Sequence, residues 1–133
     1  MPFVTIRIAG PTLAPGQVRR LQESATDLMA GVLGKDPELT AVLVEPVAIG
    51  GWSVGRRQPP VAAHLEAKVT AGTNTAEEKA RFVAAADALL RHVLGAELPV
   101  ATYVVVDEVP GDAWGYGGLT QEHRRRVTTD AAA

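Results

Sequence analysis

The sequence predicts an α/β (α+β) fold: two tandem β-α-β units whose strands join in one four-stranded sheet, mainly parallel within each unit. Two helices lie on one face, and short β-hairpins close the units. Three observations lead there. The chain repeats itself once: Ala9-Gly10 returns as Ala71-Gly72, Val32-Leu33-Gly34 as Val93-Leu94-Gly95, and Trp52 as Trp114, at offsets of 61 to 62 residues. Each copy reads strand, helix, strand in its hydrophobic periodicity. Two copies, fewer than the three a solenoid needs, point to a fused pair with right-handed crossovers.

Phe3 to Ile8 alternates apolar with polar residues, as a strand covered on one face does. Pro11 and Gly16 mark a loop, and Pro15 suits a first helical turn, where its missing N–H costs nothing. Val18, Leu21, Ala25, Leu28, Met29 and Val32 recur at helical spacing, with Gly34 as the stop. Thr40 to Val47, rich in Val and Leu, reads as a buried strand. In the second copy Ala62 to Thr70 replays the first strand, and Thr75-Ala76-Glu77-Glu78 is a capping box. Phe82, Ala86, Leu89, Leu90 and Val93 form the stripe of its helix. Ala101 to Asp107 runs nearly unbroken in β-branched residues, the pattern of a parallel strand buried on both faces.

A length of 133 residues suits a single domain, 1–133, made of repeats at about 2–57 and 62–118. Gln58-Pro59-Pro60 is too short a linker to separate independent domains. A net charge of −2 argues against a nucleic-acid partner. No apolar run approaches a membrane span, and the absence of cysteine excludes disulfides and thiolate metal sites, so a cytoplasmic protein is expected. His92 and His123 lack ligand spacing, so no metal site is expected. The glycines around Tyr116 lack the Lys-Ser/Thr pair of a phosphate cradle. Arg124-Arg125-Arg126 reads as a solvated or intersubunit cluster, and 127–133, without apolar periodicity, as a disordered tail.

Pro2 is the candidate catalytic residue. Once Met1 is removed, its nitrogen is a secondary amine. An apolar pocket lowers the pKa of such an amine by disfavouring the ammonium form, giving a base near neutral pH. At an offset of 62 the corresponding residue of the second copy is His64, where the continuing chain allows no free amine. One site per chain follows.

With Pro2 heading strand one, two segments complete a resemblance: Gly50-Gly51-Trp52-Ser53-Val54-Gly55 and Asp112-Ala113-Trp114-Gly115-Tyr116-Gly117-Gly118. Both are similar to the aromatic-Gly-x-Gly-Gly hairpin of the tautomerase superfamily, and the chain from Pro2 to about Gly118 resembles the fused, two-unit 4-oxalocrotonate tautomerase type. The resemblance implies a homotrimer and a cofactor-independent enzyme acting on a small-molecule substrate. It further implies keto-enol isomerisation of a 2-hydroxydienoate or arylpyruvate-like enol, with Pro2 as general base. Hydration or dehalogenation of an unsaturated acid by protonated Pro2 is the variant on the same amine. The family's carboxylate-binding arginine positions hold Thr12 or Asn74 in the loops, and Ala41 or Tyr103 on the strands. That departure argues against a dicarboxylate muconate and favours, as the other reading, a non-catalytic trimer that binds a small ligand. Substrate-binding candidates are Trp114 and Trp52 as apolar walls, Tyr103 as a hydrogen-bond donor, and Arg56 and Arg57 reaching a neighbouring pocket. Arg7 points away from Val4, Ile6 and Ile8, onto a polar face or a subunit contact.

Overall fold

The computed structural model describes residues 2–132, with side chains described through Thr128. Strand β1 (Phe3–Ala9), helix α1 (Pro15–Gly31) and strand β2 (Ala41–Val47) form the first unit; β3 (Ala62–Thr70), α2 (Ala76–Leu94) and β4 (Tyr103–Val109) form the second. A hairpin of β5 (Gly115–Tyr116) and β6 (Leu119–Thr120) follows, then α3 (Gln121–Ala132). The sheet order is β2-β1-β3-β4, parallel within each unit and antiparallel where β1 meets β3 at the centre.

Period-two burial decides which way the strands face. Val4, Ile6 and Ile8 of β1 and Leu65, Ala67 and Val69 of β3 point to the helices, where Leu21, Ala25 and Met29 of α1 and Phe82, Ala86 and Leu90 of α2 complete one core. Pro15 opens α1 as its spacing predicted. The α2 capping box also forms: the Thr75 hydroxyl accepts from the Glu78 amide at 3.1 Å, and the Glu78 carboxylate accepts from the Thr75 amide at 2.8 Å. Arg91 closes the α2–β4 loop by donating to the carbonyls of Leu98 and Pro99.

The opposite face of the sheet is ordered by ion pairs that repeat with the fold. Arg7 Nε donates to Glu45 at 3.0 Å across β1 and β2, and Lys68 Nζ donates to Asp107 at 2.8 Å across β3 and β4. Arg7 therefore lies on the polar face, as expected. Lys68 stays protonated above the usual lysine range because it donates to Asp107 and Glu66, and Asp107 stays ionised below the usual carboxylate range. Phe3, Leu43, Tyr103 and Val105 share this face and are exposed in the single chain.

Three expectations change. The two strands rich in β-branched residues, β2 and β4, are the sheet edges and are only half covered, because the central pairing of β1 with β3 pushes them outward. The first hairpin reduces to a single bridge between Val54 and Arg57, preceded by a 3-10 turn at Ile49–Gly51. Residues 127–132 are helical, not a disordered tail; residue 133 lies outside the described residues. The Thr120 hydroxyl caps this helix by accepting from the His123 amide, and Glu122 pairs with Arg126 one turn on, local bonds that hydrophobic periodicity does not register.

Candidate active site

Pro2 heads β1 with its side chain buried, and its carbonyl accepts from the Ala41 amide at 3.3 Å. Phe3 lies opposite Lys68 on the antiparallel neighbour, so the register brings Pro2 beside the C-terminal end of β3. A cleft of about 370 Å³ opens at that end, walled by Thr70, Thr73, Lys35, Asp112, Glu122 and Arg125 among others. Pro2 does not itself border the cleft.

Local bonds set each wall. After α1, Gly34 takes φ +69°, and the amides of Gly34 and Lys35 return to the carbonyls of Ala30 and Met29, which turns the Lys35 side chain toward the second unit. Lys35 Nζ donates to the Thr73 hydroxyl at 2.7 Å, and that hydroxyl donates to the Thr70 carbonyl at 2.6 Å. Burial pushes the Lys35 ammonium below the ordinary lysine pKa, only partly opposed by the Glu78 carboxylate. Asn74 fixes the same loop by donating to the Leu33 carbonyl.

The three consecutive arginines of α3 have three separate roles, not that of one solvated cluster. Arg124 stacks on the Tyr116 ring at 3.8 Å from its centroid and donates to the Tyr116 carbonyl, latching α3 to the hairpin. Arg125 borders the cleft. Arg126 neutralises Glu122 at 2.8 Å. Helical periodicity is what separates them, because successive residues on a helix point about 100° apart.

Of the candidate substrate-binding residues, Trp114 lies at the Pro2 end, its indole N–H donating to the Thr70 hydroxyl at 3.2 Å. Tyr103, 68% exposed, starts β4 beside His64 and so lies at the opposite end of the sheet, roughly 20 Å away along a strand. Trp52, Arg56 and Arg57 follow β2 and occupy that same far end. Gly55 and Arg56 form the two-residue turn there, with φ of 58° and 70°. A left-handed conformation costs a non-glycine residue about 1 kcal/mol. Arg56→Gly is therefore expected to raise stability by about 0.5–1 kcal/mol, read as an increase in the urea midpoint at unchanged slope.

Strand register also corrects the repeat. Ala41 pairs with Phe3 and Tyr103 with His64, so in register His64 corresponds to Phe3 and the second copy of Pro2 is Ala63, an offset of 61. The second copy carries one more residue between its first strand and its Ala-Gly pair, so the offset of 62 read from Ala9-Gly10 and Ala71-Gly72 does not hold along the strand. Ala63 is buried, and the linker covers that end of β3: Pro59 and Val61 are buried and the Pro60 carbonyl lies over Gly10. Lys35 and Arg125 were absent from the candidates; the readable signal for Lys35 was that its repeat counterpart is Ala96, a charge that one copy lacks.

Among the described residues no group of three His, Cys, Asp or Glu side chains is placed to hold a metal, and no helix is long and apolar enough to cross a membrane. A family model for Tautomerase enzyme matches residues 2–57 and again 64–124. Probable tautomerase K2 of Dickeya dadantii (strain 3937) is 36% identical over 55 residues, which cover 41% of this chain and 82% of that protein. Pt0534 inactivated by 2-oxo-3-pentynoate superposes at TM-score 0.80 with 17% identity, covering 92% of this chain and 98% of that one. A native fused 4-OT superposes at 0.77 with 24% identity, covering 90% and 97%. The F6 fused 4-OT asymmetric trimer does so at 0.77 with 20% identity, covering 90% and 98%. Two matched segments on two structurally equivalent units make the assignment: this chain belongs to the tautomerase family.

Proposed function

We propose that the chain is a cofactor-independent tautomerase that interconverts the keto and enol forms of a small unsaturated or aryl-substituted 2-oxo acid, with Pro2, freed of Met1, as the general base. The observation that carries this reading is the placement of Pro2: buried, at the same strand end as Trp114 and the cleft walled by Lys35 and Thr70. The neutral amine takes the enol hydroxyl proton, the electron pair moves through the double bond, and the carbon end gains a proton from the ammonium, so the base is regenerated. At the other strand end the equivalent position is Ala63 under the linker, which supports one site per chain.

A homotrimer accompanies this reading. Phe3, Leu43, Tyr103 and Val105 leave an apolar patch on the sheet face away from the helices, and the F6 and Q0 fused 4-OT proteins that this chain superposes on are trimers. In the assembly Tyr103, Trp52, Arg56 and Arg57, all remote from their own Pro2, are available to a neighbouring chain's cleft. Sedimentation equilibrium at three times the chain mass is the expected result.

Reaction with 2-oxo-3-pentynoate, the reagent that inactivates Pt0534, tests the amine directly. Conjugate addition joins the Pro2 nitrogen to the alkyne carbon remote from the ketone, and the carbon next to the ketone gains a proton, so one whole reagent molecule is added. The expected result is a single adduct on the N-terminal peptide and loss of ketonisation. Adducts spread over lysines with Pro2 unmodified would sink the proposal.

A further inference from the structure

We propose that Lys35 and Arg125, from the end of α1 and from α3, together hold the carboxylate of the substrate acid. The inference rests on the tautomerase reading of the cleft, and neither residue stands at a position corresponding to the family's arginines. The cleft walls carry two cations and two carboxylates, so the sign of its ligand turns on which charges are already engaged. Glu122 is tied to Arg126 at 2.8 Å, outside the pair of interest. Lys35 and Arg125 have no carboxylate within 4.0 Å among the described residues, although Glu78 lies close enough to Lys35 to oppose its deprotonation. Asp112 is exposed at the mouth. The first amides of α3 do not supply the attraction, because those of Gln121, Glu122 and His123 already donate to the Trp114 and Gly111 carbonyls and the Thr120 hydroxyl. The cations must therefore come from side chains.

Lys35 is the more committed of the two. Its backbone is fixed by two helix-terminal hydrogen bonds and its ammonium by Thr73, so little side-chain freedom remains to be lost on binding. It is partly desolvated, and an incoming carboxylate compensates the ammonium for the hydration that burial removed. Arg125 adds a planar fork suited to both carboxylate oxygens. Arg124 keeps that fork in place by latching α3 to Tyr116.

Binding can be read without turnover. In a Trp52→Phe protein Trp114 is the remaining tryptophan of the two in the sequence, and it is bonded to the cleft wall through Thr70. Titration of its fluorescence with 3-phenylpropionate and with the uncharged 3-phenylpropanamide is expected to show at least a tenfold preference for the carboxylate. Lys35→Met and Arg125→Met should each weaken the carboxylate about tenfold and leave the amide unchanged, while Lys35→Arg and Arg125→Lys keep most of the preference. In ketonisation the two methionine variants should raise KM with kcat little altered. Equal affinity for acid and amide in the parent protein, or a preference that survives in both methionine variants, overturns the proposal. The same titration on a protein whose Pro2 is acylated separates the two readings: a retained carboxylate preference without ketonisation leaves the anion site standing on its own.

Discussion

A protein in which one alanine is inserted ahead of Pro2, so that its nitrogen remains an amide, is expected to lose about 10²–10⁴-fold in ketonisation rate, the usual contribution of a positioned base. The geometry explains why so small a change matters. Pro2 is buried at the end of β1, where its carbonyl accepts the sheet bond from Ala41 and holds the residue in place. Pro2→Ala keeps a free but primary amine and should fall between the parent and the inserted variant; full activity in Pro2→Ala would remove Pro2 from the mechanism. In the proposed mechanism the active form is the neutral amine. The rate should therefore rise with pH as the amine loses its proton, a titration that burial in an apolar site moves downward from the free secondary amine. A rate that falls as pH rises would favour the protonated amine and the hydratase or dehalogenase variant.

Gly10→Ala is the second change with a large expected effect, here on stability. Gly10 sits at φ +108°, and a Cβ built there would lie 2.5 Å from the Pro60 carbonyl oxygen and 3.1 Å from the Val61 Cα. Both are backbone atoms of the segment that joins the two units, so no side chain can swing aside. Left-handed strain of about 1–2 kcal/mol and overpacking of about 1–3 kcal/mol combine to about 2–5 kcal/mol. Thermal unfolding should shift down by about 10 °C or more. A shift of only a degree or two would show that the connection yields easily. Gly34→Ala meets no atom within 4 Å and bears only the conformational cost, so it serves as the comparison.

The helices and strands were legible because their signals are local. The α1 stripe through Leu21, Ala25 and Met29 and the α2 stripe through Phe82, Ala86 and Leu90 follow from helical spacing, and the Thr75 cap from four consecutive residues. Pro2 and Trp114 were legible as candidates because a terminal amine and a repeated tryptophan are visible without a fold. What the sequence hid depends on chain trajectory. Lys35 and Thr73 come within 2.7 Å across 38 positions, and nothing in either neighbourhood announces it. The Arg124–Arg126 run looked uniform because composition ignores which way each residue faces. The edge strands looked buried because Val and Leu read the same whether their cover is this chain or another copy.

The two outer strands also differ in how they can be approached. Ala41 turns its amide inward to Pro2, and alternation along β2 then turns the nitrogen of Pro46 outward, where it has no hydrogen to offer. Its counterpart in β4 is Glu108, an ordinary residue held by Lys79 at 2.8 Å. One rim of the sheet is thus interrupted against further strand pairing and the other keeps its row of donors through Val104 and Val106. The two halves are nearly symmetric in strand order, and a single proline makes their two rims chemically different.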